Sequence, residues 1–127
     1  MPGSDQAVRG EQKQLHVRRR FYEAFKLGDK RAAPALDLIR KIYKIEAEAQ
    51  KRNLDADGRH ALRQEKSLLL LAALFKWVAD IQPKLGKTSK LAQAVRYAAN
   101  QRPYVERCFI DGRFEIDPTN KMGRHRA

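Results

Sequence analysis

Apolar residues return along this chain at helical intervals, and the pattern is clearest where polar residues separate them cleanly. From residue 15, Val17, Phe21, Ala24 and Phe25 recur three or four positions apart, with Arg18, Arg19, Arg20, Glu23 and Lys26 in the intervening places. That spacing predicts a short amphipathic helix. Gly28 is its expected stop, and Asp29 the expected N-cap of the next element.

A second helix is predicted from Ala32 to Arg52, with an inward stripe of Ala35, Leu38, Ile39, Ile42, Ile45 and Ala49. Pro34 then falls in its first turn, where a missing N–H costs little. Asn53, Leu54 and Asp55 close this helix, and Asp55 is placed to cap a third, from Ala56 to Ile81. Lys76 is the one charged residue between Ser67 and Ala79, so this third helix is expected to be buried on most of its circumference. The breaker segment 82–87 leads to Thr88 or Ser89 as the cap of a fourth helix, ending near Asn100, with Leu91, Val95 and Ala98 inward. A fifth, shorter helix opens at Pro103 and carries Tyr104, Val105, Cys108 and Phe109. After the Asp111-Gly112 turn, residues 113–117 alternate in the manner of a strand, which has no visible partner and cannot stabilise itself alone.

The pattern therefore predicts a mainly α fold: an antiparallel array of about five helices with one short C-terminal strand. Residues 1–14 show no apolar period and read as an unstructured leader, and 118–127 as a basic tail, leaving 15–117 as the ordered region.

At 127 residues the chain is long enough for one domain with one core. Its 43% hydrophobic and 33% charged residues are a globular composition. Charge changes the picture more. Twenty-seven Lys and Arg against fifteen Asp and Glu leave a net charge of +12, a field that attracts polyanions, so nucleic acid, DNA included, is the first partner to consider. No membrane partner is expected, because the longest apolar run, Leu68 to Phe75, falls well short of the roughly 18 to 20 residues that span a bilayer. Cys108 is the single cysteine, which excludes an internal disulfide and fits a cytoplasmic setting.

The positions best suited to phosphate contact are Arg18, Arg19 and Arg20 beside Phe21-Tyr22, and Lys84, Lys87 and Lys90 around the interhelical loop. Binding of that kind is steeply salt-dependent and largely independent of sequence. Against it stands the plainer reading that a helix packed on one face exposes three arginines because it must expose something. Gly86-Lys87-Thr88 ends like a phosphate-binding loop, but Ile81 stands where the earlier glycine belongs, so no nucleotide cofactor is expected. His16, His60 and His125 lie on separate elements without a second ligand at metal-binding spacing. Cys108 and Ser67 lack a visible base partner. The acids Asp37, Glu46, Glu48, Asp80 and Glu106 read as i,i+4 partners and surface charge.

Three separated blocks carry a resemblance in order and spacing: the run from Leu15 through Ala49, then LRQEKS with the leucine-rich helix bearing Trp77, then the stretch from Ser89 to Asp117. Together they resemble the transposases of the insertion-sequence 66 family. The resemblance implies that this stretch is the helical region between the second catalytic aspartate and the catalytic glutamate of a DDE-type, RNase H-like nuclease that cuts and joins DNA with divalent metal ions. It also implies that the strand at 113–117 is left over from that core. The family places an Asn-x-x-Glu-Arg motif after that strand, whereas this chain reads Asn120-Lys121-Met122-Gly123-Arg124, with Gly123 where the glutamate belongs. The expectation is a truncated, catalytically inactive remnant, with no catalytic residue, no metal ligand and no cofactor of its own. Two alternatives stand beside it: a nonspecific DNA-binding module that modulates a full-length transposase, and an inert helical protein.

Overall fold

In the computed structural model, which describes residues 16–110, the ends of the helices are set by local chemistry. The first helix, α1, covers 16–26 and buries Val17, Phe21 and Ala24. It stops at Gly28, whose φ of +104° is open to glycine and strained for other residues. There the Asp29 N–H donates to the Ala24 carbonyl at 3.1 Å and the Gly28 N–H to the Phe25 carbonyl at 2.9 Å, the double bond of a Schellman cap. The Asp29 side chain then caps a short 3-10 turn, Lys30–Ala32, by accepting from the Arg31 N–H at 3.2 Å.

The next helix, α2, spans Ala33–Lys51 with Pro34 in its first turn. It ends in a second cap of the same kind, with Asn53 at φ +55° and the Leu54 N–H on the Ala49 carbonyl at 3.1 Å. Asp55 accepts from the Gly58 N–H at 2.8 Å and opens α3, Ala56–Leu62. From there a π-helical turn, Arg63–Ser67, runs without a break into α4, Leu68–Ile81. A 3-10 turn at Gln82–Lys84 and a loop lead to α5, Lys90–Ile110, where Ser89 is the cap, its Oγ accepting from the Ala92 N–H at 3.0 Å.

Helix α4 is central, packing against both α2 and α5. Leu71, Leu74, Phe75 and Val78 from α4 meet Ile39 and Ile42 of α2 and Leu91, Val95 and Phe109 of α5 in one apolar cluster. Helix α1 closes it, with Phe21 edge-on to Trp77 at 5.8 Å between ring centroids and 67° between planes. Fully burying a side chain of this size contributes about 1.5 to 3 kcal/mol.

Three expectations need correction. The fourth and fifth predicted helices are one helix, α5, with Pro103 inside it, so the described residues hold four helical rods instead of five. Apolar positions on both sides of the proline, Val95 and Ala98 before it and Val105 and Phe109 after it, are buried, and their packing holds the two halves in one phase. Helix α4 is not buried all round: Leu69 is 73% exposed, and Ala72, Ala73 and Ala79 also face outward, because a helix touched by neighbours on two sides still has a free one. Phe25, assigned to the apolar face of α1, is exposed. The predicted strand at 113–117, the leader 1–14 and the tail 118–127 lie outside the described residues. No described helix is long and apolar enough to cross a membrane.

Candidate nucleic-acid interface

Three consecutive residues on an α-helix point about 100° apart, so Arg18, Arg19 and Arg20 cannot share a face. With Phe21 and Ala24 inward, Arg18 leans over the Tyr22 ring at 5.9 Å and toward α2, where its charge opposes the burial that raises the Tyr43 phenol above its ordinary pKa. Arg20 turns to the other flank and stacks over Tyr97 of α5, 4.1 Å from the ring centroid. Burial raises the Tyr97 pKa too, with Arg20 again opposing. Arg19 is left facing solvent.

The seam between α1 and α5 is where the two predicted basic groups meet, though only in part. Arg20 and Lys90 line one small notch of about 40 Å³ together with Glu23, Gln93 and Ala94. Lys84 on the 3-10 turn and Lys87 in the loop are exposed, and neither lines that notch. Gly86 sits in open space, where an added Cβ would touch nothing, and the adjoining helix is capped by Ser89 and not by Thr88, whose carbonyl accepts instead from the Gln93 amide at 3.1 Å. The segment is an interhelical loop.

What separates a binding face from ordinary solvated charge is the distribution of carboxylates. On α2 and α4 the exposed cations are largely paired within their own helix: Arg40 and Lys41 both reach Asp37, at 2.7 and 3.1 Å, Arg52 reaches Glu48 at 3.3 Å, and Lys76 reaches Asp80 at 3.3 Å. Its two cations hold the Asp37 carboxyl below the usual range, Arg40 foremost. No ion pair among the described residues engages Arg18, Arg19, Arg20, Lys26, Lys84, Lys87, Lys90 or Arg96. Across α1, the loop 82–89 and α5 there are ten Lys and Arg but two acids, Glu23 and Glu106, and Glu106 is held by Arg102 at 2.9 Å. Cations outside any ion pair are thus most numerous on α1, the loop 82–89 and α5, with Lys44 and Lys51 of α2 exposed in the same state among the described residues.

A second cluster escaped the sequence reading. Glu46, assigned there to the surface, is 2% exposed, and Arg63 is 1% exposed. Arg63 grips Glu46 in a forked pair, with Nε on Oε2 at 3.0 Å and Nη2 on Oε1 at 2.8 Å. Its Nη1 donates to the Cys108 carbonyl at 3.2 Å, and its guanidinium lies 5.7 Å from the Phe109 ring centroid. One side chain of the π turn thus ties α2 to α5. The signal that could have found it is the phase of Glu46, which falls on the buried stripe of α2 between Ile42 and Ala49. Cys108 and Ser67 are buried as well, and the Ser67 hydroxyl has no hydrogen-bond partner among the described residues. His60 joins α3 to the end of α5 through Nδ1 and the Ile110 carbonyl at 2.7 Å.

Of the five acids weighed earlier, four are surface partners of nearby cations, as the spacing predicted, and Glu46 is the buried exception. Among the described residues no three His, Cys, Asp or Glu side chains converge where a metal ion could be held. The residues described do not fit a divalent cation.

Comparison with known proteins gives a family. The family model described as Transposase IS66 family matches residues 14–125. A Sinorhizobium fredii protein named as uncharacterized protein y4qI is 38% identical over 117 residues, which cover 91% of this chain and 21% of that protein. A second protein of the same organism, uncharacterized protein y4jD, is 28% identical over 103 residues, covering 80% of this chain and 20% of its own length. The chain thus spans about a fifth of the length of the curated relatives it matches. No solved structure matches it.

Proposed function

The chain belongs to the insertion-sequence 66 transposase family, and on that premise we propose that it is a helical module of the transposition machinery that holds duplex DNA by its phosphates and does not itself cut it. The observation that carries this reading is the excess of unpaired cations on neighbouring segments: Arg18, Arg19, Arg20 and Lys26 on α1, Lys84 and Lys87 in the segment before α5 and Lys90 at its start, with Glu23 as the one acid there. Unpaired Arg and Lys side chains neutralise phosphates and release counterions without first breaking an internal ion pair. Catalytic silence is the companion proposal. It is supported by the placement of the acids, since among the described residues no three His, Cys, Asp or Glu side chains converge on one point.

Fluorescence anisotropy of a labelled duplex, titrated with the full chain at 50 and 200 mM salt, tests the binding. Release of about six counterions lowers affinity by roughly three orders of magnitude between those salts. Absence of binding at 50 mM removes the reading. Incubation with supercoiled DNA and magnesium or manganese tests the silence, and strand cleavage that survives stringent purification overturns it.

A second reading, contact with an intact transposase, is favoured by the outer face of α4, where Leu69 is 73% exposed beside Ala72 and Ala73. Exposed apolar surface of this kind marks interaction sites when it is contiguous. Co-purification with a full-length family member that Leu69→Lys abolishes is the expected result.

A further inference from the structure

The ridge of α5 that faces directly away from the core carries Gln93, Arg96, Asn100 and Arg107, at intervals of three, four and seven residues. Leu91, Val95, Ala98 and Phe109 occupy the opposite side and are buried. Arg96 and Asn100 are exposed, and Gln93 is half-buried, spending one amide hydrogen on the Thr88 carbonyl. These are the side-chain types able to make paired hydrogen bonds to base edges: Arg to guanine, Asn and Gln to adenine. No carboxylate stands on the ridge. The single acid of α5, Glu106, is on the flank facing α4, where it pairs with Arg102, which itself lies over Phe75.

Phosphate-directed groups border the ridge on its other flank. Arg20 is held over Tyr97 beside Lys90, in the notch that Glu23 also lines. On the exposed face of α2, Arg40 and Lys41 are tied to Asp37, while Lys44 and Lys51 are in no ion pair among the described residues. From residue 93 to residue 100 the helix rises about 10.5 Å, the height of roughly three base pairs at about 3.4 Å each. An α-helix fits the B-DNA major groove, which is about 12 Å wide. The rings of Tyr97 and Tyr104 already carry the guanidiniums of Arg20 and Arg107, which favours a duplex over a single strand stacked on those rings.

We propose that α5 lies in the major groove of duplex DNA and reads base edges through Gln93, Arg96 and Asn100, with Arg20 and Lys90 holding a phosphate at the groove edge. This rests on the DNA-binding reading above and goes beyond it, because phosphate contacts alone carry no sequence information.

Selection of bound duplexes from a random-sequence pool by the full chain tests it. The expected result is enrichment of a purine-containing core of about three to four base pairs. Asn100→Ala then erases the preference at one position, a loss of discrimination of about 5- to 100-fold, while affinity for unrelated duplex changes less than about twofold. Arg96→Ala acts in the same way at a second position, and Lys76→Ala, on the far side of the core on α4, keeps the motif. All three residues are exposed, so unchanged circular dichroism is expected and checks the fold. Salt-dependent binding with no enriched sequence overturns this inference and leaves DNA binding standing, as does a stronger hold on single strands that Asn100→Ala does not alter. Failure to bind any duplex removes both.

Discussion

Glu46→Gln removes the charge from one half of an ion pair whose partners are 2% and 1% exposed. Two charges withdrawn from water are stable there only because each answers the other, and a lone Arg63 would keep its desolvation cost while losing its forked acceptor. Breaking a buried pair from one side typically costs about 3 to 5 kcal/mol. The bond from Arg63 to the Cys108 carbonyl survives the substitution and places the expected loss near 3 kcal/mol. Folded domains of this size are stable by about 5 to 15 kcal/mol, so the variant should remain folded but lose a large share of its margin. With a urea slope of about 1.5 kcal/mol/M, the unfolding midpoint followed by circular dichroism should fall by about 2 M. Two controls give the result its meaning. Asp80→Asn, at an exposed pair, should cost less than about 1 kcal/mol. The double variant Glu46→Met, Arg63→Met should recover most of the loss, since well-packed apolar replacements for a buried pair are often neutral or stabilising. A midpoint shift below about 0.5 M for Glu46→Gln, or a double variant worse than the single, would refute the reasoning.

Arg20→Gln should lower the salt slope of duplex binding by about 0.9, measured by anisotropy, while Arg40→Gln, whose charge Asp37 already answers, should leave it unchanged. Ser67→Ala removes a buried hydroxyl with no partner, so chemical denaturation should find it neutral or stabilised by up to about 1 kcal/mol. The Asp29 carboxyl titrates below its ordinary 3.8, chiefly because the Arg31 side chain hydrogen-bonds to it. A carboxylate whose pKa is lowered by folding contributes stability above the unfolded value, and that contribution is lost as pH falls through the lower folded value. Asp29→Ala should therefore be less stable than the parent above the ordinary carboxylate value of 3.8, and the difference should shrink as pH falls through the lowered folded value, as read by urea midpoints at a series of acidic pH values.

Features written in neighbouring residues were legible in the sequence. Gly28, Pro34 and Asp55 act within a few positions of themselves, and each lies where the spacing put it. Features that depend on a distant partner were not. Glu46 answers Arg63 seventeen positions later, and an i,i+4 rule cannot see that far. Pro103 is a plausible helix start taken alone, but apolar residues on both sides of it share one core and carry the helix through. Helix α4 has the composition of a buried rod, and only the positions of its neighbours decide that Leu69 faces outward. The basic site was half legible. Residue type marked the arginines and lysines, whereas the helical fan of Arg18 to Arg20, and the meeting of Arg20 with Lys90, needed the fold.

The π turn at Arg63–Ser67 makes the long rod from α3 to α4 a matter of counting. A π turn holds one residue more than an α-helix would use over the same stretch. It lets Leu62 and Ser67, five positions apart, both face inward, although a plain α-helix would set them about 140° apart. Deletion of the exposed Gln64 would give the backbone an unbroken α-helix in which Leu62 and Ser67 stand four positions apart, about 40° round the axis, so Leu71, Leu74, Phe75 and Val78 would keep their phase relative to α3. A single lost codon there would leave the downstream half in register, whereas tightening the turn to α with all its residues kept would rotate that half by about 100° away from its core.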